Sequence, residues 1–176
     1  LLSDPHADIH TVLICGLGGS GIGCTIVNDL VSEHINVPIS ATKDYSIPNF
    51  VDENTLVIAS SYSGNTEETL YALEDCQKRR AQIACVTSGG ALEKLAKEKG
   101  FNCITIPGGQ PPRAMFGYSF TQLFFLLNHY GLIDDSFISE FDKGIALLDS
   151  EEEAIKSKAK VLSTKLYGTT PVIYTA

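Results

Sequence analysis

Five short apolar runs punctuate the chain up to Ile106, at residues 11–15, 37–41, 55–59, 82–86 and 102–106. They are rich in β-branched residues and continuous rather than alternating, which predicts strands covered on both faces. Pro38 has no amide hydrogen to give a ladder, so the second run belongs at a sheet margin or starts after that residue. Between the runs lie stretches of helical period beginning at Ser20, Asn65 and Ala91. The last carries Leu92, Leu95 and Ala96 at the i, i+3, i+4 spacing of a helix lying on a sheet. The order reads β-α-β-β-α-β-α-β. Parallel neighbours need crossover helices, and those helices cover both faces. The expectation is therefore a three-layer, doubly wound, flavodoxin-like α/β fold with a five-stranded parallel sheet.

After Arg113 the pattern changes. Met115, Phe116, Tyr118, Phe120 and the apolar run 123–127 leave hardly a polar stripe, which predicts a helix buried nearly all round. Two more helices are expected, one with Phe137, Phe141, Ile145 and Leu148 on a face, the next with Ile155, Ala159, Leu162 and Leu166. Gly168 and Pro171 stop the second. Residues 171–176 form a further strand-like run, read as the first strand of a second domain, with a strand added to the same sheet as the alternative. The division expected is 1–133 for the α/β domain, 134–168 for a helical connector and 169–176 for the start of a second, absent domain.

Composition narrows the function. The 176 residues carry 13 Lys and Arg against 21 Asp and Glu, a formal charge of -8, which cannot supply the basic footprint of a nucleic-acid binder. No apolar run approaches the ~20 residues of a membrane span, and the first residues lack the pattern of a signal peptide. The five cysteines show no C-x-x-C spacing and mostly lie in apolar runs, as reduced thiols do, so a cytoplasmic protein is expected. His6, His10, His34 and His129 show no metal-ligand spacing, and no metal or cofactor is expected.

The candidate chemistry sits in three loops. The first run exits into a glycine-rich turn with Gly16, Gly18, Gly19, Ser20 and Gly21, where a helix start points free amides at the turn. Gly16, Gly18 and Gly21 match the dinucleotide spacing G-x-G-x-x-G, but its acidic companion is poorly met, since Asp44 falls late and follows Lys43. The third run exits into residues 60–69, where Ser61, Ser63 and Thr66 surround Gly64. An Asn65 and Glu68 capping box is the plain structural alternative. One cap needs one hydroxyl, however, and three within a turn suit a bound phosphate better. Neither loop contains Lys or Arg: none precedes Lys43 and none occurs at 44–77. An oxyanion would be held by amides, hydroxyls and helix dipoles, as suits a small phosphorylated metabolite. The third loop, 107–113, ends in Pro112 and Arg113. Its guanidinium could stabilise charge developing beside a sugar carbon, or could bond carbonyls of its own turn.

At these loops Gly18-Gly19-Ser20-Gly21, Ser61 to Thr69 and Pro112-Arg113-Ala114 resemble the sugar isomerase (SIS) domain family. Within it they resemble the N-terminal half of the bifunctional phosphoglucose/phosphomannose isomerases, over essentially the whole chain. The resemblance implies that Ser61, Ser63 and Thr66 hold the phosphate, that Gly18, Gly19, Ser20 and Pro112 contact the sugar phosphate, and that Arg113 stabilises an enediolate. It implies aldose-ketose isomerisation without a metal, a second SIS domain carrying the Glu base and the ring-opening His, and a homodimer. By that measure the fragment alone is inactive, and Glu67 and Glu68 are first-turn residues rather than a base. The other readings are a phosphosugar-sensing regulatory module and an NAD-binding enzyme.

Overall fold

The computed structural model describes residues 2–5, 8–172 and 174. The elements run β1 (Thr11–Gly16), α1 (Gly18–Val31), β2 (Ile39–Thr42), β3 (Thr55–Ser61), α2 (Glu67–Lys78), β4 (Gln82–Thr87), α3 (Gly90–Lys99), β5 (Asn102–Thr105), a 3-10 turn (Pro112–Met115), α4 (Phe116–His129) and α5 (Ser136–Leu166). All neighbouring strands pair in parallel, in the order β2-β1-β3-β4-β5. This is the doubly wound, flavodoxin-like arrangement expected from the five apolar runs. Pro38 brings no amide hydrogen to the ladder but its carbonyl accepts the Val12 N–H at 2.9 Å, and β2 starts one residue later as an edge strand.

Strand alternation divides the core between two helical layers. Leu13, Cys15, Val57, Ala59, Ile83 and Cys85 pack with Ala72, Leu73 and Cys76 of α2 and with Leu92 and Ala96 of α3. The alternate residues, including Val12, Ile14, Leu56 and Ile58, are equally buried. They point to the opposite face, where α1 and α4 pack side by side. Strand β3 lies at the centre and is buried along its whole length.

The chain divides into two compact units, Leu1–Asp134 and Asp135–Ala176. In the first, α4 is not buried all round: Tyr118 and Phe125 are 53% and 42% exposed. Its apolar face is broad because an aromatic ladder runs along it, Phe116 stacked on Phe120 at 5.2 Å and Phe120 edge-on to Phe124 at 5.3 Å. In the second unit one helix of 31 residues, α5, replaces the two expected. Leu148 and Ile155 are seven residues apart, two full turns, so both apolar stripes are in phase and no Gly or Pro between them breaks the helix. The acidic stretch between them is served by Lys156, 2.8 Å from Glu152 and 3.4 Å from Glu153. Of the strand-like run at 171–176, Ile173, Thr175 and Ala176 lie outside the described residues, and Pro171, Val172 and Tyr174 belong to no strand.

Candidate functional site

Strands β1 and β3 are adjacent, with Gly16 opposite Ser60, yet the helices that follow them go to opposite faces of the sheet. Their C-terminal ends therefore open a crevice at the topological switch point, where ligands of open α/β sheets bind.

The first loop forms one wall. Leu17 is the extended N-cap residue of α1 and makes no side-chain cap bond, which leaves the first-turn amides to outside partners. Its glycines serve different ends. A Cβ at Gly16 would meet Cys24 Sγ at 2.9 Å and the Ser60 carbonyl at 3.0 Å, and one at Gly21 would meet the Gly16 carbonyl at 2.7 Å. Gly18 has a φ of 59°, in the left-handed region. Gly16, Gly18 and Gly21 are thus fixed by the turn itself, which accounts for the dinucleotide-like spacing without a dinucleotide. Gly19 has an ordinary φ, and a Cβ there would meet nothing within 4 Å.

The second loop supplies hydroxyls. Ser61 Oγ and Thr66 Oγ1 share a hydrogen bond of 2.7 Å, which uses one of their two hydroxyl hydrogens. Ser63 Oγ accepts the Asn65 N–H at 3.2 Å and Ser20 Oγ accepts the Tyr62 N–H at 3.4 Å, so each keeps its own hydrogen to donate. Thr66 is the N-cap residue of α2 but makes no side-chain cap bond. The capping box is not formed. Asn65 Oδ1 instead accepts the Ala91 N–H of α3 at 3.0 Å, and Glu67 and Glu68 lie in the first turn of α2. There, after desolvation, they push the Tyr45 phenol up from its ordinary pKa.

Gly64 fastens this loop to the turn after β4. It has a φ of 65°, and a Cβ on it would collide with the Gly89 carbonyl. Its own carbonyl accepts the Leu92 N–H at 2.9 Å. Thr87 Oγ1 donates to the Gly89 carbonyl at 2.9 Å and Ser88 Oγ to the Tyr62 carbonyl at 2.6 Å. This 87–90 turn was not singled out from the sequence, although Thr87, Ser88, Gly89 and Gly90 repeat the hydroxyl-and-glycine composition of the other loops.

Lys43 was likewise missed as a neighbour of the site. Register places Thr42 beside Cys15, so the next residue reaches the first loop, and Lys43 Cγ lies 3.3 Å from where a Gly21 Cβ would stand. Burial pushes the Cys24 thiol up to about 12, with Lys43 pulling weakly the other way. Asp44 is occupied locally, accepting the Tyr45 N–H at 2.7 Å. The third loop closes on the second through the Gln110 N–H, which donates to Tyr62 Oη at 3.2 Å. Pro112 opens the 3-10 turn and Arg113 follows it, exposed; among the described residues the Arg113 guanidinium bonds no carbonyl of its turn. Nor does any group of three His, Cys, Asp or Glu there form a metal site.

A flavodoxin-like α/β unit with glycines, hydroxyls and helix starts without side-chain caps around its switch-point crevice is of the class in which small ligands lodge at the C-terminal ends of the strands. The chain belongs to the SIS domain family, whose model matches residues 7–130. It is 44% identical over 173 residues to a bifunctional phosphoglucose/phosphomannose isomerase of Caldicellulosiruptor bescii, covering 95% of this chain and 51% of that protein. To the protein of the same name from Thermoplasma volcanium it is 40% identical over 169 residues, covering 93% and 50%. Among solved structures, the C-terminal domain of glucosamine-fructose-6-phosphate aminotransferase from Francisella tularensis matches with a TM-score of 0.68 over 91% of this chain and 48% of that one. At 17% identity it speaks to the fold alone. The chain spans about half the length of the isomerases it matches.

Proposed function

We propose that the chain is the N-terminal, substrate-binding half of a phosphosugar isomerase that interconverts glucose 6-phosphate, and also mannose 6-phosphate, with fructose 6-phosphate. The observation that carries this reading is the crevice between β1 and β3, where hydroxyls with hydrogens to give face helix starts that lack their own caps. The hydroxyls of Ser61, Ser63 and Thr66 and the first amides of α2 bind the phosphate ester. Gly18, Gly19 and Ser20 approach the sugar phosphate from the first loop, Gly19 because a ligand can occupy the space a side chain would fill, and Pro112 borders the sugar. In the reaction a base removes the proton from the carbon beside the carbonyl and the electron pair moves to the carbonyl oxygen, which takes up a proton; the cis-enediol then gives up the proton of its other hydroxyl and is reprotonated on the former carbonyl carbon, leaving the new carbonyl beside it. Arg113 stabilises the negative charge that develops on oxygen in that interval.

The acid and base belong to a second SIS domain, with 1–133 as the sugar-phosphate domain and the connector helix leading to the next, in a homodimer. The location proposed is the cytoplasm, in keeping with five cysteines that are all free thiols. No helix of the described residues is long and apolar enough to cross a membrane.

Calorimetric titration tests this. Fructose 6-phosphate should give a saturable heat and NAD none, and the reverse would restore the dinucleotide reading. Ser63→Ala and Thr66→Ala should each weaken the sugar phosphate by ~1.5 to 3 kcal/mol, the worth of a hydrogen bond to a charged group. Unchanged affinity in both would return the loop to a purely structural role.

A further inference from the structure

Three loops meet at one residue. The Tyr62 N–H donates to Ser20 Oγ of the first loop at 3.4 Å, and its carbonyl accepts the Ser88 N–H at 2.9 Å and Ser88 Oγ at 2.6 Å from the turn after β4. Its phenol oxygen accepts the Gln110 N–H of the third loop at 3.2 Å. Tyr62 makes the first two links with its backbone, so they survive a change of its own side chain. Only the third, to the loop that carries Arg113, depends on the tyrosine hydroxyl.

The chain around Gln110 is built as an arm on a hinge. On one side stand Gly108 and Gly109, the latter with a φ of 87° and open space around it. On the other stand Pro111 and Pro112, whose rings fix φ and whose sequence restricts each preceding residue, and the Ala114 N–H closes the turn onto the Pro111 carbonyl at 2.9 Å. Movement at the glycines would be carried to Arg113 with little loss through the prolines. The phenol grips the arm at the joint, between the flexible and the stiff segment.

We infer that Tyr62 is a positioning residue: its hydroxyl latches the Gly-Gly/Pro-Pro arm and so holds Arg113 in register with the phosphate loop that Tyr62 itself belongs to. The inference rests on the function proposed above. It separates two parts of one ligand, since the phosphate is held by the first two loops while the sugar end needs the arm.

The test compares fructose 6-phosphate with inorganic phosphate as ligands of the wild-type chain and of Tyr62→Phe, Arg113→Ala and the double variant. Tyr62→Phe should weaken fructose 6-phosphate by about two- to tenfold, as one neutral hydrogen bond is worth, and leave inorganic phosphate unchanged. Added to Arg113→Ala, it should cost nothing further, because the residue it positions is gone. Ser63→Ala, by contrast, should weaken both ligands. Gln110→Pro deletes the amide hydrogen from the other end of the same bond and should reproduce the Tyr62→Phe pattern. Wild-type affinity in both latch variants would overturn the role of Tyr62 and leave the function standing. So would an equal loss for both ligands, or a loss that persists without Arg113. A wild-type chain that binds no fructose 6-phosphate would overturn the function and this role with it.

Discussion

The fold requires glycine at position 64, whereas at position 19 only the proposed ligand would require it, and the difference can be measured. At Gly64 a methyl group would strike the Gly89 carbonyl while the backbone holds a φ of 65°, so Gly64→Ala combines a steric clash with a conformation that β-carbons disfavour. It should destabilise the chain by ~2 kcal/mol or more, read as a lower urea midpoint. At Gly19 the same methyl group meets nothing within 4 Å. Gly19→Ala should therefore leave the urea midpoint unchanged or raise it, since alanine is the better helix former, while fructose 6-phosphate affinity falls at least tenfold. Loss of stability without loss of affinity at Gly19 would remove that residue from the site. The sequence could not separate these cases. A glycine-rich turn states that side chains are excluded, but whether by φ, by neighbouring backbone or by a ligand is a matter of what lies across the crevice.

The beginnings of α2 and α3 show how elements share capping groups. Asn65 precedes α2 by two residues and has the spacing of a cap for it, yet its Oδ1 accepts from Ala91 in the first turn of α3, whose own N-cap residue, Gly89, has no side chain to offer. One helix is capped from the loop of another, and α2 is left with bare amides at the site. Asn65→Ala should consequently destabilise the chain by about 1 kcal/mol, in the range of a lost N-cap, and the faster hydrogen exchange should appear in α3 rather than in α2. Protection lost first at Glu67 to Leu70 would contradict this exchange of caps. At this scale the central strands β1, β3 and β4 were legible because each is buried on both faces and so reads as an unbroken apolar run, while the edge strands β2 and β5, only partly buried, were marked by their short β-branched cores. The α2 and α3 starts were legible to within two residues. The single helix α5 was not, because its two apolar stripes, one ending at Leu148 and the next starting at Ile155, read as two helices until the seven-residue step between them is seen to keep both on one face.

At the scale of the whole molecule, what sequence left hidden are relations across the sheet: Tyr62 joining three loops, and Lys43 brought to Gly21 by the pairing of β2 with β1. Those follow from the order β2-β1-β3-β4-β5, which fixes which loop ends are neighbours although they are distant in the chain. The same view yields a prediction about electrostatics. On the proposed function a phosphate monoester, with a charge of about -1.5 to -2 near neutral pH, approaches a chain whose formal charge is -8, toward two loops without a single Lys or Arg. The long-range field would repel it, and the amides and hydroxyls proposed to hold it would act only at contact. Salt shortens the reach of the field, from a Debye length of ~30 Å at 0.01 M to ~8 Å at 0.15 M, and leaves contact hydrogen bonds largely intact. Across that range, calorimetry should find the affinity for fructose 6-phosphate constant or rising, opposite in sign to a site built on lysine. A tenfold fall would mean that a cation holds the phosphate. If Lys43→Gln abolished the fall, that cation would be Lys43, reaching in from the end of β2, and the grip would belong to a third strand rather than to the two loops alone.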